Sequence, residues 1–297
     1  MSEPGEAVEL SAAPILHNSY SNSIIQQKNT AYLAVCQYGC DLRSLKPKAQ
    51  RCIDMGLSMK YNTYKLDMNY IFVRHHAFTK KIRRDSLKNI LCFGDSNTYG
   101  YKPDGSGRYD FDQRWPGRLE LLLGDGYHVI EEGLPGRTTV FGEAAQPHRK
   151  GSDYIVPCLL SQLPLDFVIV MLGTNDCKAV FGAGSEEVAA GLKIIVRKII
   201  ALTTGETRIL IVSPIHLGDN IAKPGYDPEF DERSRLSSIG LAAEYRKLAE
   251  EKGLDFLDAS EFAQASPIDE EHLDAEGHAA LAGAVAEIIK RCADERI

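Results

Sequence analysis

No stretch of this 297-residue chain approaches the roughly 18 consecutive apolar residues that cross a bilayer, so no membrane span is expected. The first residues, Met1-Ser2-Glu3-Pro4-Gly5-Glu6, have neither a basic start nor an apolar core, and no secretory signal is read there. Positive charge is not in excess either. The formal net charge of −7 argues against a nucleic-acid partner. The 7 cysteines are an odd number without framework spacing, which suits a reducing compartment, and the expected location is the cytoplasm. Cys36, Cys40 and Cys52, with His75 and His76, match no paired Cys-x-x-Cys pattern, so no metal site is expected from them. What remains is ordinary globular composition, 44% hydrophobic and 25% charged.

The charge is unevenly divided. Residues 1–87 hold 12 basic against 7 acidic side chains, a balance of +5, which leaves −12 for residues 88–297. The first segment shows neither helical nor strand periodicity, and Asn18 to Thr30 is mostly polar. An N-terminal extension over 1–87, largely disordered or loosely packed, is expected. Lys80 to Arg84 reads as a solvated basic linker. The change in composition also admits a start of translation at a later methionine such as Met68, which a native peptide from residues 1–60 would refute.

From residue 88 strands and helices alternate. Ile90 to Phe93, Tyr127 to Glu131, Asp166 to Leu172, Arg208 to Val212 and Leu254 to Leu257 read as strands. The third is a continuous apolar run, as in a parallel sheet covered on both faces. Trp115 to Leu123, Tyr154 to Gln162, Val188 to Leu202, Arg235 to Lys252 and Ala275 to Arg291 read as helices, the last capped by Asp274. Ser213 to Glu232, rich in proline and glycine, reads as a long loop overhanging the site. Five βα units predict an α/β fold: a three-layer, doubly wound sandwich around a parallel five-stranded sheet, occupying residues 88–297.

The first of these strands runs into Gly94-Asp95-Ser96. Ser96 therefore leaves the carboxyl end of a strand, where open α/β sheets bind ligands, and could act as a nucleophile if a base reaches it. Three other polar clusters fall at strand ends or in later loops: Gly136, Asn175, and Asp269 with His272. His278 competes with His272 as base, but lies inside the closing helix and has no aspartate three residues before it. Asp95 reads as a hydrogen-bonding group beneath the turn.

The blocks Gly94-Asp95-Ser96, Gly133-Leu134-Pro135-Gly136, Gly173-Thr174-Asn175-Asp176 and Asp269-Glu270-Glu271-His272 together resemble the SGNH, or GDSL, hydrolase superfamily. The likeness covers residues 88–292. Ile90 to Ser96, Val129 to Leu134, Arg137 to Thr139 and Val170 to Ala179 sharpen it to the arylesterase and acyltransferase branch, of the mycobacterial perhydrolase type. The resemblance implies a flavodoxin-like SGNH fold and a serine esterase acting on short-chain acyl esters, with acyl transfer or perhydrolysis as a further activity. It assigns Ser96 as nucleophile, His272 as base and Asp269 as its orienting carboxylate. It places the oxyanion hole at the Ser96 and Gly136 N–H groups and the Asn175 amide. No cofactor is implied. The expected partner is a small-molecule ester, and the branch leaves room for a homo-oligomer whose packing builds the acyl channel.

Asn97 stands where the branch commonly has leucine, and Tyr99 and Tyr101 where tryptophans occur. These three, with His216 on the long loop, are the residues expected to line the substrate pocket. Arg114 and Arg137 near the pocket could suit an anionic substrate, but read as structural or solvated. Two other functions compete: a glycan O-acetylesterase of the same superfamily, and a non-catalytic α/β binding module.

Overall fold

The computed structural model describes residues 87–203 and 205–294. The cysteines and histidines weighed above as a metal set, and the basic run Lys80 to Arg84, lie outside the described residues. Five strands, β1 (Lys88–Gly94), β2 (Tyr127–Gly133), β3 (Phe167–Met171), β4 (Arg208–Ser213) and β5 (Asp255–Asp258), form one sheet in the order β2-β1-β3-β4-β5. Every neighbouring pair is parallel. Among the described residues six α-helices accompany them: α1 (Ser96–Tyr99), α2 (Trp115–Leu123), α3 (Gly151–Gln162), α4 (Ser185–Leu202), α5 (Glu232–Lys252) and α6 (Ala275–Asp294).

Successive side chains of a strand point to opposite faces, and the sheet uses this to fill two cores. Leu91, Phe93, Val168, Val170, Ile209 and Ile211 pack with α3, α4 and α5. Ile90, Cys92, Phe167, Ile169, Leu210 and Val212 pack with α2 and α6 on the other side. Both faces being covered explains why β3 is buried at every residue. The expected three-layer α/β sandwich is what the structure shows.

Element ends shift where capping chemistry overrides periodicity. Helix α5 begins three residues before its apolar pattern, because Asp231 Oδ1 accepts the Ser234 N–H at 2.8 Å while Ser234 Oγ accepts the Asp231 N–H at 3.1 Å. Helix α3 begins at Gly151 and carries Pro157 inside it. The segment after Ser96 is not all loop. Asp95 caps a single helical turn by accepting the Asn97 N–H at 3.0 Å, and Gly100, at φ 84°, ends it.

Because the chain runs from β1 outward to β2 and then crosses back to β3, the connections leaving β1 and β3 diverge. A crevice opens outside the carboxyl ends of those strands. Gly94 closes β1 opposite Gly133 and Met171. The turn bearing Ser96 therefore begins at the floor of that crevice.

Candidate active site

Ser96 is the first residue of α1 and is buried. Its Oγ lies 2.9 Å from His272 Nε2, and the opposite ring nitrogen, Nδ1, lies 2.6 Å from Asp269 Oδ2. Three residues of separation suffice for the second contact because the chain turns tightly between them. Asp269 Oδ1 accepts the N–H groups of Glu271 at 3.1 Å and His272 at 3.0 Å, leaving Oδ2 for the imidazole. Glu270 sits in the left-handed region at φ 62°, which lets the loop reverse over its own aspartate.

Burial disfavours the His272 imidazolium, yet the bond to Asp269 and the nearby Glu271 and Asp95 carboxylates outweigh it and raise the pKa above 6.5. The Tyr101 ring lies 4.8 Å from the imidazole, centroid to centroid, and walls one side of it. Next to Ser96 in sequence, Asp95 is buried with Oδ2 lacking a hydrogen bond among the described residues. Burial lifts its carboxyl to about 6.

Gly136 and Asn175 line the same cleft as Ser96, a cavity of about 500 Å³. Gly136 has φ 80°, and a Cβ there would collide with the Arg149 guanidinium, so the position requires glycine twice over. The Asn175 amide donates one N–H to Arg137 O at 3.2 Å, which orients it and leaves its second N–H free to bond elsewhere. Thr139 ties the Gly136 loop to the Asn175 turn. Its N–H reaches both Asp176 oxygens, at 2.9 and 3.0 Å, and its hydroxyl bonds Oδ1 at 2.5 Å. Asp176 is fully buried, and burial pushes its carboxyl up to about 7.

A model of the GDSL-like lipase/acylhydrolase family matches residues 92–280. The chain belongs to that family. It is similar to the aryl esterase of M. smegmatis, with 34% identity over 69% of this chain and 99% of that one, at a TM-score of 0.64. It is similar also to Est24, a carbohydrate acetylesterase from Sinorhizobium meliloti, with 35% identity over 69% and 99% of the two chains and a TM-score of 0.63. No curated protein matches the chain. Family and neighbours make it a carboxylic ester hydrolase of SGNH type.

Three residues expected in this esterase's pocket are elsewhere. The Asn97 side chain is buried, with Oδ1 accepting the Leu273 N–H at 2.8 Å and Nδ2 donating to Glu271 O at 3.4 Å. Tyr99 lies under the Arg108 guanidinium, 4.4 Å from its ring centroid, and does not line the cleft. His216 lines a different cavity, with Asp219 and Arg235, because it sits at the start of the long loop. The overhang comes from that loop's far end, where Asp227 and Glu229 line the cleft. Of the four, only Tyr101 does so.

Arg114 and Arg137 are structural. Arg114 grips Glu131 through Nε and Nη2 at 2.5 and 2.9 Å. Arg137 is buried, with Nη1 donating to Gly94 O at 2.9 Å and to Glu132 O, under the Phe93 ring at 4.3 Å. His278 accepts the Trp115 N–H at 3.3 Å, and burial drives its pKa down to about 4, so it is a neutral core residue. The charged cleft residues to which sequence assigned no role are Asp104, Arg149, Lys178, Asp227, Glu229 and Glu271. Only Glu271 carried a usable signal, standing next to the histidine.

Proposed function

We propose that this protein hydrolyses short-chain acyl esters through an acyl-enzyme on Ser96. Ser96 Oγ bonds the ester carbonyl carbon while its proton passes to His272 Nε2. The tetrahedral intermediate then collapses, the carbon–alkoxide bond breaks, and the leaving oxygen takes that proton. Water repeats the sequence with His272 as base and releases the carboxylic acid. Asp269 fixes the tautomer that leaves Nε2 free to accept and stabilises the imidazolium that forms. The developing oxyanion is met by the Ser96 and Gly136 N–H groups and the spare Asn175 N–H, each such donor typically worth about 10²–10³ in rate.

The observation that carries this reading is the unbroken line Asp269 Oδ2–Nδ1 2.6 Å, Nε2–Ser96 Oγ 2.9 Å, opening into a cleft that Gly136 and Asn175 also line. Release of p-nitrophenol from p-nitrophenyl acetate, lost in Ser96→Ala, together with fluorophosphonate labelling that maps to Ser96, tests it. A folded protein that neither turns over the ester nor takes the label refutes it.

One observation favours a second reading within the same chemistry. The cleft wall is polar, with Asp104, Arg149, Asp227 and Glu271 on it, which suits an ester of a polar alcohol, such as an acetylated sugar, better than an aryl ester. Acyl transfer to an alcohol or peroxide needs a poorly hydrated channel, which these residues do not provide. Relative turnover of aryl acetates and acetylated sugars decides between the two.

A further inference from the structure

The cleft is lined by charges of both signs. Arg149 lies over Gly136, on the side where the oxyanion forms. Lys178 is neutralised by Glu229, with Nζ 2.6 Å from Oε2. The other charged groups on the cleft include the acids Asp227 and Asp104, the second felt through space by Lys102. Asp227 spends Oδ1 on the Glu229 N–H at 2.9 Å, and Asp104 spends Oδ1 on the Ser106 N–H at 2.9 Å. Neither forms an ion pair among the described residues.

Glu271 is the decisive group. It is 8% exposed, yet its carboxylate accepts no hydrogen bond among the described residues and faces the cleft. Its nearest cation is His272, whose Nε2 lies 3.7 Å from Glu271 Oε1 and is already engaged by Ser96. A leaving-group oxygen must come within about 3 Å of that same Nε2 to receive its proton. The atoms attached to the leaving oxygen are therefore the ones Glu271 meets.

Building on the esterase reading above, we propose that Glu271 makes this site selective for esters whose alcohol carries a positive charge close to the scissile oxygen, as in amino-alcohol or amino-sugar esters. Burial is what holds the Glu271 carboxyl up at about 7, and a cation seated beside it restores the carboxylate by supplying the missing counter-charge. Asp227, which raises the same group through space, adds to the attraction.

Acetylcholine and 3,3-dimethylbutyl acetate test this, being of the same shape and differing in one charge. The wild-type protein should favour the charged ester by about tenfold in kcat/KM, the scale of one partly screened charge pair. In Glu271→Gln that ratio should fall towards one, whatever happens to the absolute rates. Equal efficiency on both esters in the wild type, or an unchanged ratio in the variant, overturns the assignment while leaving the esterase intact. Turnover of neither ester, with Ser96 unlabelled by fluorophosphonate, sinks the esterase reading instead. A measurement free of turnover supports the kinetics: in the Ser96→Ala background, choline binding followed by NMR titration should weaken about tenfold on adding Glu271→Gln, and equal affinity overturns the proposal.

Discussion

Asn97 is where a perturbation separates bracing from substrate contact. Its amide joins the nucleophile's helix to the backbone on both sides of His272, accepting from Leu273 N–H at 2.8 Å and donating to Glu271 O at 3.4 Å. Asn97→Leu has similar volume and so opens little cavity, but it removes the acceptor of Leu273, a residue with 0% exposure. An orphaned buried donor costs about 1–3 kcal/mol, and the longer second bond adds little. For a domain of this size each kcal/mol lowers Tm by about 2–4 °C, so a fall of roughly 2–12 °C follows. The loop bearing the base then loses its tie to the nucleophile. A misplacement near 1 Å costs about 100-fold, and the loss should appear in kcat with KM of p-nitrophenyl acetate little changed. Thermal unfolding and steady-state kinetics on one preparation check both halves. An unchanged Tm would show that the amide holds nothing. A raised KM at constant kcat would return Asn97 to the pocket.

Further substitutions probe the other parts. Asp269→Asn should lower kcat by about 10³–10⁴, since the tautomer is no longer fixed. Catalysis needs neutral imidazole and His272 titrates above 6.5, so kcat/KM should fall on the acid side with a midpoint above that value. The limb belongs to the His272–Glu271 pair rather than to one group, and removing the Asp269 charge should move it to lower pH in a pH–rate profile. Gly136→Ala forces a side chain into φ 80° and against Arg149; about 1–3 kcal/mol of strain and a loss of activity are expected in unfolding and ester assays. Asp176, with a carboxyl raised from 3.8 to about 7 in the fold, binds its proton more tightly folded than unfolded. Its contribution is present in full below pH 3.8 and is lost as pH rises through about 7. Asp176→Asn should therefore flatten the decline of Tm across that window, and an unaltered slope would refute the assignment.

The fold was largely legible because its signals are redundant. The β3 run Phe167–Met171 could only be a strand covered on both faces, and the two stripes of β1 sorted themselves between two cores. Helix beginnings were less legible, since they depend on single capping contacts such as Asp231 to Ser234. Pocket residues were misplaced for a geometric reason. Asn97 and Tyr99 follow the nucleophile in sequence, but one helical turn carries them off the cleft, and only Tyr101, beyond Gly100, comes back to it.

The Asp269-Glu270-Glu271-His272 block shows how far sequence can go at this site. Three consecutive carboxylates are chemically alike on paper, and it is the resemblance of the whole block to its superfamily that assigns Asp269 to the imidazole. The left-handed backbone at Glu270 then sends each acid to a different neighbour. Asp269 turns to His272 Nδ1, and Glu270 turns to the long loop, where it accepts Asn220 N–H at 3.0 Å and Asn220 Nδ2 at 2.9 Å. Glu271 lines the cleft beside Nε2 and, among the described residues, receives no hydrogen bond from the protein. Two of the three carboxylates thus have their acceptor capacity used within the protein, and the third does not. A carboxylate that faces the cleft without a protein donor keeps its acceptor capacity for a group arriving from outside. The same turn that brings His272 to Ser96 thus leaves, under the proposed selectivity, an uncommitted carboxylate where the leaving group would stand.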